Sequence, residues 1–493
     1  MMAVPSPENL VLLAVLAPFV GALIIPLFGK LPNLRETVTL VTAGTLCLVV
    51  FHLLGPLLDG ARPEVEIIEV IPGLALAFKV EPLGMLFALV ASSLWIVNSI
   101  YSIGYMRANN EPRQTGFYVC FAIALGSTIG IAFAKNLFTL FLFYEALTIS
   151  TYPLVTHKAN EEAIRAGRIY LLLLLGTSLM LFLPAIIATW VLAGTLDFTP
   201  GGILAGKAGA PVIAVLLALY VFGVGKAAVM PLHFWLPAAM VAPTPVSALL
   251  HAVAVVKAGV FCVVKVVVYV FGIETLTQSG ANDWLIFAAS ASLLLASLIA
   301  LTRDNLKARL AYSTVSQLAY VTVGALLASK TSIVGSGLHI AMHAAGKITL
   351  FFCAGAIYVA HHKTEISDMA GIGRKMPITM LAFLLGSLSI IGLPPFGGMW
   401  SKWLLGLGAL ESGHALVVGV LMLSSLLNVA YLLPIVARGF FLPVPGAEAG
   451  TPNKIEEAPL ACLIALCATA LLTIVLFFQA GTIETLLQGI FAR

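Results

Sequence analysis

The chain has 493 residues, 60% of them hydrophobic and only 10% charged, with a net charge of +4 and a mean hydropathy of +1.05. Ordinary soluble domains carry about 25% charged residues, so this composition excludes a string of soluble domains, a disordered chain, a coiled coil and a nucleic-acid-binding surface. The pI near 8.7 rests on four charges and says nothing of acidic partners; the six cysteines (47, 120, 262, 353, 462 and 467) all lie in apolar runs without metal or CxxC spacing, and read as small buried hydrophobes.

Apolar stretches of about 20 residues, enough to cross a bilayer at 1.5 Å per residue, recur from one end to the other. Fourteen are predicted, at 8–27, 37–56, 82–105, 116–134, 136–156, 168–193, 211–236, 244–271, 284–301, 308–328, 332–360, 377–409, 415–437 and 459–480. The first is longer than the apolar core of a secretory signal and carries only Glu8 before it, so a retained membrane helix is expected there. The predicted fold is an all-α polytopic membrane protein.

Cytoplasmic loops hold an excess of Lys and Arg. Alternate loops beginning at 28–36, with Arg309 at the start of the tenth stretch, hold fifteen basic residues; the opposite loops hold six, namely Arg62, Lys79, Lys135, Lys207, Lys330 and Arg493. Both termini are therefore expected outside a bacterial or archaeal inner membrane. Five lysines remain, all inside apolar stretches: Lys226, Lys257, Lys265, Lys347 and Lys402.

A charge at mid-bilayer costs about 2.5–3.5 kcal/mol on insertion scales, so such residues face protein or a hydrated cavity. Among the acids only Glu145, in Phe143-Tyr144-Glu145, reads as comparably deep. One carboxylate among several lysines suggests a proton relay, because a carboxylate that approaches or withdraws changes how tightly a buried amine holds its proton. Lys226 and Glu145 also fit a purely structural pair, although hydrophobic substitutes are often as stable. Lys265, near the end of its stretch, is expected to snorkel to the interface. His339, His343 and Lys347 stand at i, i+4 and i+8, on one helical face. His251 and Lys257, six apart, point in different directions and are not expected to touch.

Two stretches are interrupted. The seventh carries Gly223, Gly225, Pro231 and Pro237 around Lys226; the twelfth carries Gly392, Pro394, Pro395, Gly397 and Gly398 before Lys402. Proline breaks a helix, and irregular backbone survives in a membrane only where protein buries it or it lines a wet cavity. Matched interruptions point to an inverted-repeat transporter. The predicted repeats are 116–271 and 284–437, after a three-helix segment at 1–110 and before a last helix at 459–493.

With these residues in place, the chain resembles the antiporter-like subunit family shared by Mrp-type multisubunit cation/proton antiporters, respiratory complex I and membrane-bound hydrogenases. The resemblance rests on Lys226-Ala-Ala-Val-Met-Pro-Leu-His-Phe-Trp-Leu-Pro237, Ala242-Pro-Thr-Pro-Val-Ser-Ala-Leu-Leu-His251, Phe143-Tyr-Glu145, Lys257, His343-Ala-Ala-Gly-Lys347 and Lys402. It implies fourteen helices, two inverted five-helix repeats and a charged axis across the membrane midplane. One half-channel would load Lys226 under the control of Glu145; Lys257, His251 and Lys347 would pass the charge laterally, and Lys402 would exchange with the other side. The stretches Ile366-Ser-Asp-Met-Ala-Gly-Ile-Gly-Arg-Lys-Met and Gly398-Met-Trp-Ser-Lys-Trp look most like the D subunit of Mrp antiporters. The 13 residues after the last stretch leave no room for the lateral helix of the distal complex I subunit or for the large C-terminal extension that another Mrp subunit carries.

The resemblance implies a proton-translocating transporter subunit, not an enzyme by itself, working with other subunits of a hetero-oligomeric Na⁺/H⁺ antiporter in the lipid bilayer, with Na⁺ crossing here or in another subunit. The alternative is the same module in a complex I-type NADH-quinone oxidoreductase or a hydrogenase. No dinucleotide loop and no cysteine cluster supplies redox chemistry, so no cofactor and no metal are expected.

Overall fold

The computed structural model of the protein describes residues 6–443 and 454–491, apart from the side chains of Leu250 and His251. Arg493, counted above for orientation, lies outside the described residues.

Each predicted apolar stretch coincides with helical structure. In chain order the helices are α1 (Pro7–Ile24), α2 (Pro32–Leu58), α3 (Pro82–Ala108), α4 (Gln114–Ala132), α5 (Leu137–Val155) and α6 (Glu161–Ala193). There follow α7 (Ala210–Gly223), α8 (Val255–Phe271), α9 (Asp283–Thr302), α10 (Leu306–Leu326), α11 (Lys330–His361), α12 (Pro377–Ile391), α13 (Gly398–Glu411), α14 (Ala415–Phe441) and α15 (Leu460–Gln488). Among the described residues ten helices are long and apolar enough to cross a membrane, and α8 forms an eleventh when joined to Ile273–Ser279 across a 79° bend. Apolar side chains such as Leu23, Met180, Val191, Met422 and Phe478 lie exposed on the outer helices, as a lipid-facing surface requires.

Local chemistry sets several helix starts. Asn136, Asn160 and Asn305 accept from the backbone N–H groups of Thr139, Ala163 and Ala308, and Ser329 with Ser332 forms a reciprocal cap at the start of α11. Each satisfies donors that the first turn leaves unpaired. In α6 a π turn at Ser178–Phe182 interrupts an otherwise continuous 33-residue helix.

The central element is α11. It packs against α3, α10, α12, α13 and α15, and its apolar window is entirely buried. A membrane helix with no lipid-facing side can carry polar groups on any face, provided its neighbours satisfy them.

The sequence reading missed one piece of non-helical structure, an antiparallel hairpin of β1 (Glu64–Ile71) and β2 (Leu74–Lys79), with Glu64 paired to Lys79 and Ile71 to Leu74. It docks on the α4–α5 connection: Lys79 N–H donates to the Phe133 carbonyl at 2.7 Å, and Ala77 N–H to Thr139 Oγ1 at 3.0 Å. Its first strand mixes three glutamates with apolar residues and its second has only six residues, so a search for long apolar runs passes over both.

Both predicted interruptions are real breaks. Helix α7 ends at Gly223, a single 3₁₀ turn spans Gly225–Ala227, and Pro231 and Pro237 lie in the irregular chain and the one-turn helix Trp235–Ala238 that follow. In the second half α12 ends at Gly392 with φ +91°, and Pro394 and Pro395 lie between it and α13.

Candidate functional site

Where a helix breaks, its last carbonyls lose their intrahelical partners. The Gly225 carbonyl, in the turn after α7, accepts from Ala228 N–H and from Trp235 Nε1, each at 3.0 Å, and the Ile391 carbonyl at the end of α12 accepts from Lys402 Nζ at 3.0 Å. Each break thus makes an acceptor inside the protein, and in the second half the acceptor holds the lysine that follows it.

Lys226 lies in the 3₁₀ turn, fully buried. Its Nζ donates to the Tyr144 carbonyl at 2.8 Å and to Thr148 Oγ1 at 2.5 Å, and stands 3.1 Å from the centre of the Tyr144 ring. Its backbone N–H donates to Tyr144 Oη at 3.1 Å. Glu145, the next residue along α5, makes no ion pair with Lys226 within 4.0 Å among the described residues, and both its carboxylate oxygens are buried without a hydrogen-bond partner. Lys226 is therefore held by neutral oxygens and an aromatic face, while the carboxylate that follows Tyr144 along α5 makes no ion pair with it.

Glycine permits the close approach of α8. A Cβ on Gly259 would lie 2.3 Å from the Ala227 nitrogen and the Lys226 carbonyl carbon, so only a bare Cα lets this helix rest on the broken turn. Two residues earlier on α8, Lys257 reaches the other way, and its Nζ hydrogen-bonds His343 Nδ1 on α11. The His343 ring stacks on His339, 5.8 Å between centroids and 5° from parallel; His339 stacks on Tyr320 of α10 at 5.4 Å and 18°. Lys402 stands 4.8 Å from the centre of the Tyr320 ring and donates to Ser425 Oγ at 3.0 Å, while Tyr320 Oη is 3.2 Å from the same Ser425 Oγ. His339 Nδ1 lies 2.9 Å from Ser401 Oγ, beside Lys402 in sequence.

The structure thus brings Lys257, His343, His339 and Lys402 into one contiguous series and brings Lys226 and Glu145 into one cluster. No side-chain contact joins Lys226 to Lys257 among the described residues; their helices meet backbone to backbone at Gly259. Lys347 donates to Ser313 Oγ at 2.7 Å. The backbone of His251 lies in a π turn, Leu249–Val253, and its side chain is outside the described residues.

Two expectations are corrected. Lys265 does not snorkel: it is fully buried, with Nζ 3.2 Å from Glu81 Oε2, 2.8 Å from the Ala134 carbonyl and 4.4 Å from the centre of the Phe198 ring. Its partner Glu81 stands just before α3, at a position that the sequence reading left between predicted stretches. Nor is Glu145 the deepest acid: Glu81 and Glu36 are 5% and 4% exposed, whereas Glu145 is half-buried. Glu36 is paired with Arg35 and Arg107, at the positively charged side.

The bridging groups Tyr144, Thr148, Tyr320, Ser401 and Ser425 were missed. Tyr144 and Ser401 each precede a residue singled out for its charge, which was a usable signal. Tyr320 and Ser425 had none, being uncharged and far from any motif.

The family model for "NADH:quinone oxidoreductase/Mrp antiporter, TM" matches residues 134–428, which includes both breaks and every lysine of the series. NADH-quinone oxidoreductase subunit N of Desulforudis audaxviator is 32% identical over 388 residues, covering 77% of this chain and 76% of that protein. A probable K⁺/H⁺ antiporter subunit of Rhizobium meliloti is 29% identical over 98% of this chain, which spans 49% of that relative's length. A chain in the solved structure of the Mrp complex from Dietzia sp. DQ12-45-1b superposes with a TM-score of 0.85 over 99% of this chain and 97% of its own, at 20% identity, and so shares the fold. These relatives are membrane subunits of multisubunit complexes. The chain belongs to the NADH:quinone oxidoreductase/Mrp antiporter membrane-subunit family.

Proposed function

We propose that this chain is the proton-translocating subunit of an Mrp-type Na⁺/H⁺ antiporter, moving protons along Glu145, Lys226, Lys257, His251, His343, His339, Lys347 and Lys402. The observation that carries the reading is the series from Lys257 through two stacked imidazoles and Tyr320 to Lys402. Amines and imidazoles both take up and release protons, and a buried series of them between two breaks has no stabilising role that apolar packing would not fill as well. In this reading 116–271 and 284–437 are the two inverted half-channels, 1–110 and 459–493 flank them, and both termini are outside the cell. The disengaged Glu145 is the control element: when it approaches Lys226 the amine holds its proton, and when it withdraws the proton moves on.

The Rhizobium relative's name favours K⁺ as an alternative cation, and the Desulforudis relative's name favours coupling to electron transfer in place of a cation gradient. One experiment separates the three. The chain is expressed with the subunits encoded beside it, and everted membrane vesicles carrying a pH-sensitive dye receive Na⁺, K⁺ or a quinone-linked electron donor. A pH change on Na⁺ addition supports the proposal, K⁺ alone reassigns the cation, and a response only to the electron donor overturns antiport in favour of a redox pump.

A further inference from the structure

Lys347 leaves the stacked series and enters a separate hydrogen-bonded branch. Ser313 Oγ, on α10, accepts from Lys347 Nζ at 2.7 Å and from Tyr431 Oη of α14 at 2.9 Å, and Tyr431 Oη also hydrogen-bonds Asn428 Oδ1. Lys347, Ser313, Tyr431 and Asn428 are all fully buried. A phenol has one hydrogen, so with two acceptors in reach the Tyr431 hydroxyl has two settings, toward Ser313 or toward Asn428. The Asn428 amide nitrogen is itself buried without a partner, which leaves this corner polar beyond what its own bonds satisfy.

The branch points at a surface. Arg309, one turn before Ser313 on α10, donates to the Tyr431 carbonyl at 3.1 Å and to the Arg303 carbonyl at 2.8 Å, and Arg303 is exposed. From Ser313 to Arg309 the helix climbs about 6 Å, so the hydroxyl pair lies within about one helical turn of a side chain that reaches the face bearing the basic loops. No residue of the Lys257–Lys402 series takes part.

We propose that Tyr431 and Ser313 form a dedicated proton route between Lys347 and the face that carries Arg309, distinct from the route through Lys226. The inference rests on the relay reading above. In the loading direction a hydronium at that face gives a proton to the Tyr431 oxygen, Tyr431 gives its own hydrogen to Ser313 Oγ, and Ser313 gives its own to the free amine of Lys347. The Tyr431 and Ser313 oxygens each gain one proton and lose one, the hydronium becomes water, and Lys347 is the one protein group whose charge changes.

The test compares Tyr431→Phe, Ser313→Ala, Ser313→Thr and Lys347→Ala in the assembled complex in everted vesicles, measuring initial proton flux in H₂O and in D₂O. The expected result is a loss of about a hundredfold for Tyr431→Phe and Ser313→Ala, the low end of what a lost proton-transfer group costs, with an enlarged solvent isotope effect and with Ser313→Thr keeping most of the flux. Wild-type flux in Tyr431→Phe, or a reduced flux with an unchanged isotope effect, overturns the route while leaving the relay intact. Wild-type flux in Lys347→Ala overturns the participation of Lys347 and with it this branch, whereas failure of the relay as a whole shows separately as wild-type flux in Glu145→Gln.

Discussion

The ring of Tyr320 lies against that of His339, 5.4 Å between centroids, and Lys402 stands over the same phenol ring at 4.8 Å. One uncharged aromatic therefore spans the space between the histidines of α11 and the lysine of α13. A cation over an aromatic face in a dry site gains about 2 kcal/mol. Replacing the ring by Leu is expected to lower proton flux at least about tenfold, since about 1.4 kcal/mol is one decade in rate. Tyr320→Phe retains the stack and is expected to keep most of the flux. Equal losses in the two variants, measured in the same vesicles, would assign the role to the hydroxyl.

Glu145→Gln and Lys226→Ala are each expected to lower flux by about a hundredfold, as loss of a proton-transfer group does, with the complex still assembling on size-exclusion chromatography. Normal transport in either variant sinks the relay.

Lys265 and Glu81 form a buried pair away from that series. Removing one partner of a buried pair typically costs about 3–5 kcal/mol, whereas replacing both by apolar groups is often neutral. Lys265→Met should lower the thermal midpoint in detergent sharply, and Lys265→Met with Glu81→Leu should recover much of it. A double variant no better than the single one would show that the Ala134 carbonyl and Phe198, not Glu81, hold the lysine.

Gly259→Ala sets a methyl group 2.3 Å from the backbone at Lys226. Overpacking of this kind costs about 1–3 kcal/mol, and here the strain falls on the broken turn. Flux should fall with Lys226 itself unchanged; wild-type flux would show that α8 shifts freely against the turn.

His157, in the connection after α5, has its pKa lowered to about 4 by burial and by Arg113, whose guanidinium binds its carbonyl. Its Nε2 is 3.7 Å from a carboxylate oxygen of Glu111, whose own pKa burial raises. A histidine kept neutral in the folded state imposes no penalty above its unfolded value near 6.5; as pH falls from there toward 4 the unfolded chain takes up a proton that the folded chain refuses, and stability declines. The thermal midpoint should therefore drop between about pH 6.5 and 4, and drop less in His157→Gln. An identical pH dependence in the two proteins would rule out this histidine as the cause.

Charge in an apolar background is rare enough to be read directly, which is why four of the five leftover lysines, and Glu145, were legible as a group. Helix breaks were legible because Gly and Pro cluster there, at 223–237 and 392–398, whereas single prolines such as Pro18, Pro153 and Pro434 lie inside continuous helices. What stayed hidden was neutral: Tyr320 and Ser425 are ordinary residues of long helices, and only tertiary packing makes them bridges. Lys265 was misread for a related reason. Its distance from the helix end suggested water, but its partner Glu81 comes from a segment 184 positions earlier, whose approach no local pattern encodes.

Because the middle of α11 has no face turned to lipid, its residues from Ser332 to Ile357 are hemmed in over every direction of the compass. His339, His343 and Lys347 are mounted on it one turn apart, as cams on a single shaft. A rotation of that shaft would carry all three stations together, loosening His343 from Lys257 in the same stroke that pulls Lys347 from Ser313 and His339 from Tyr320. The stretch least tolerant of substitution should therefore be this buried rod, along its whole circumference.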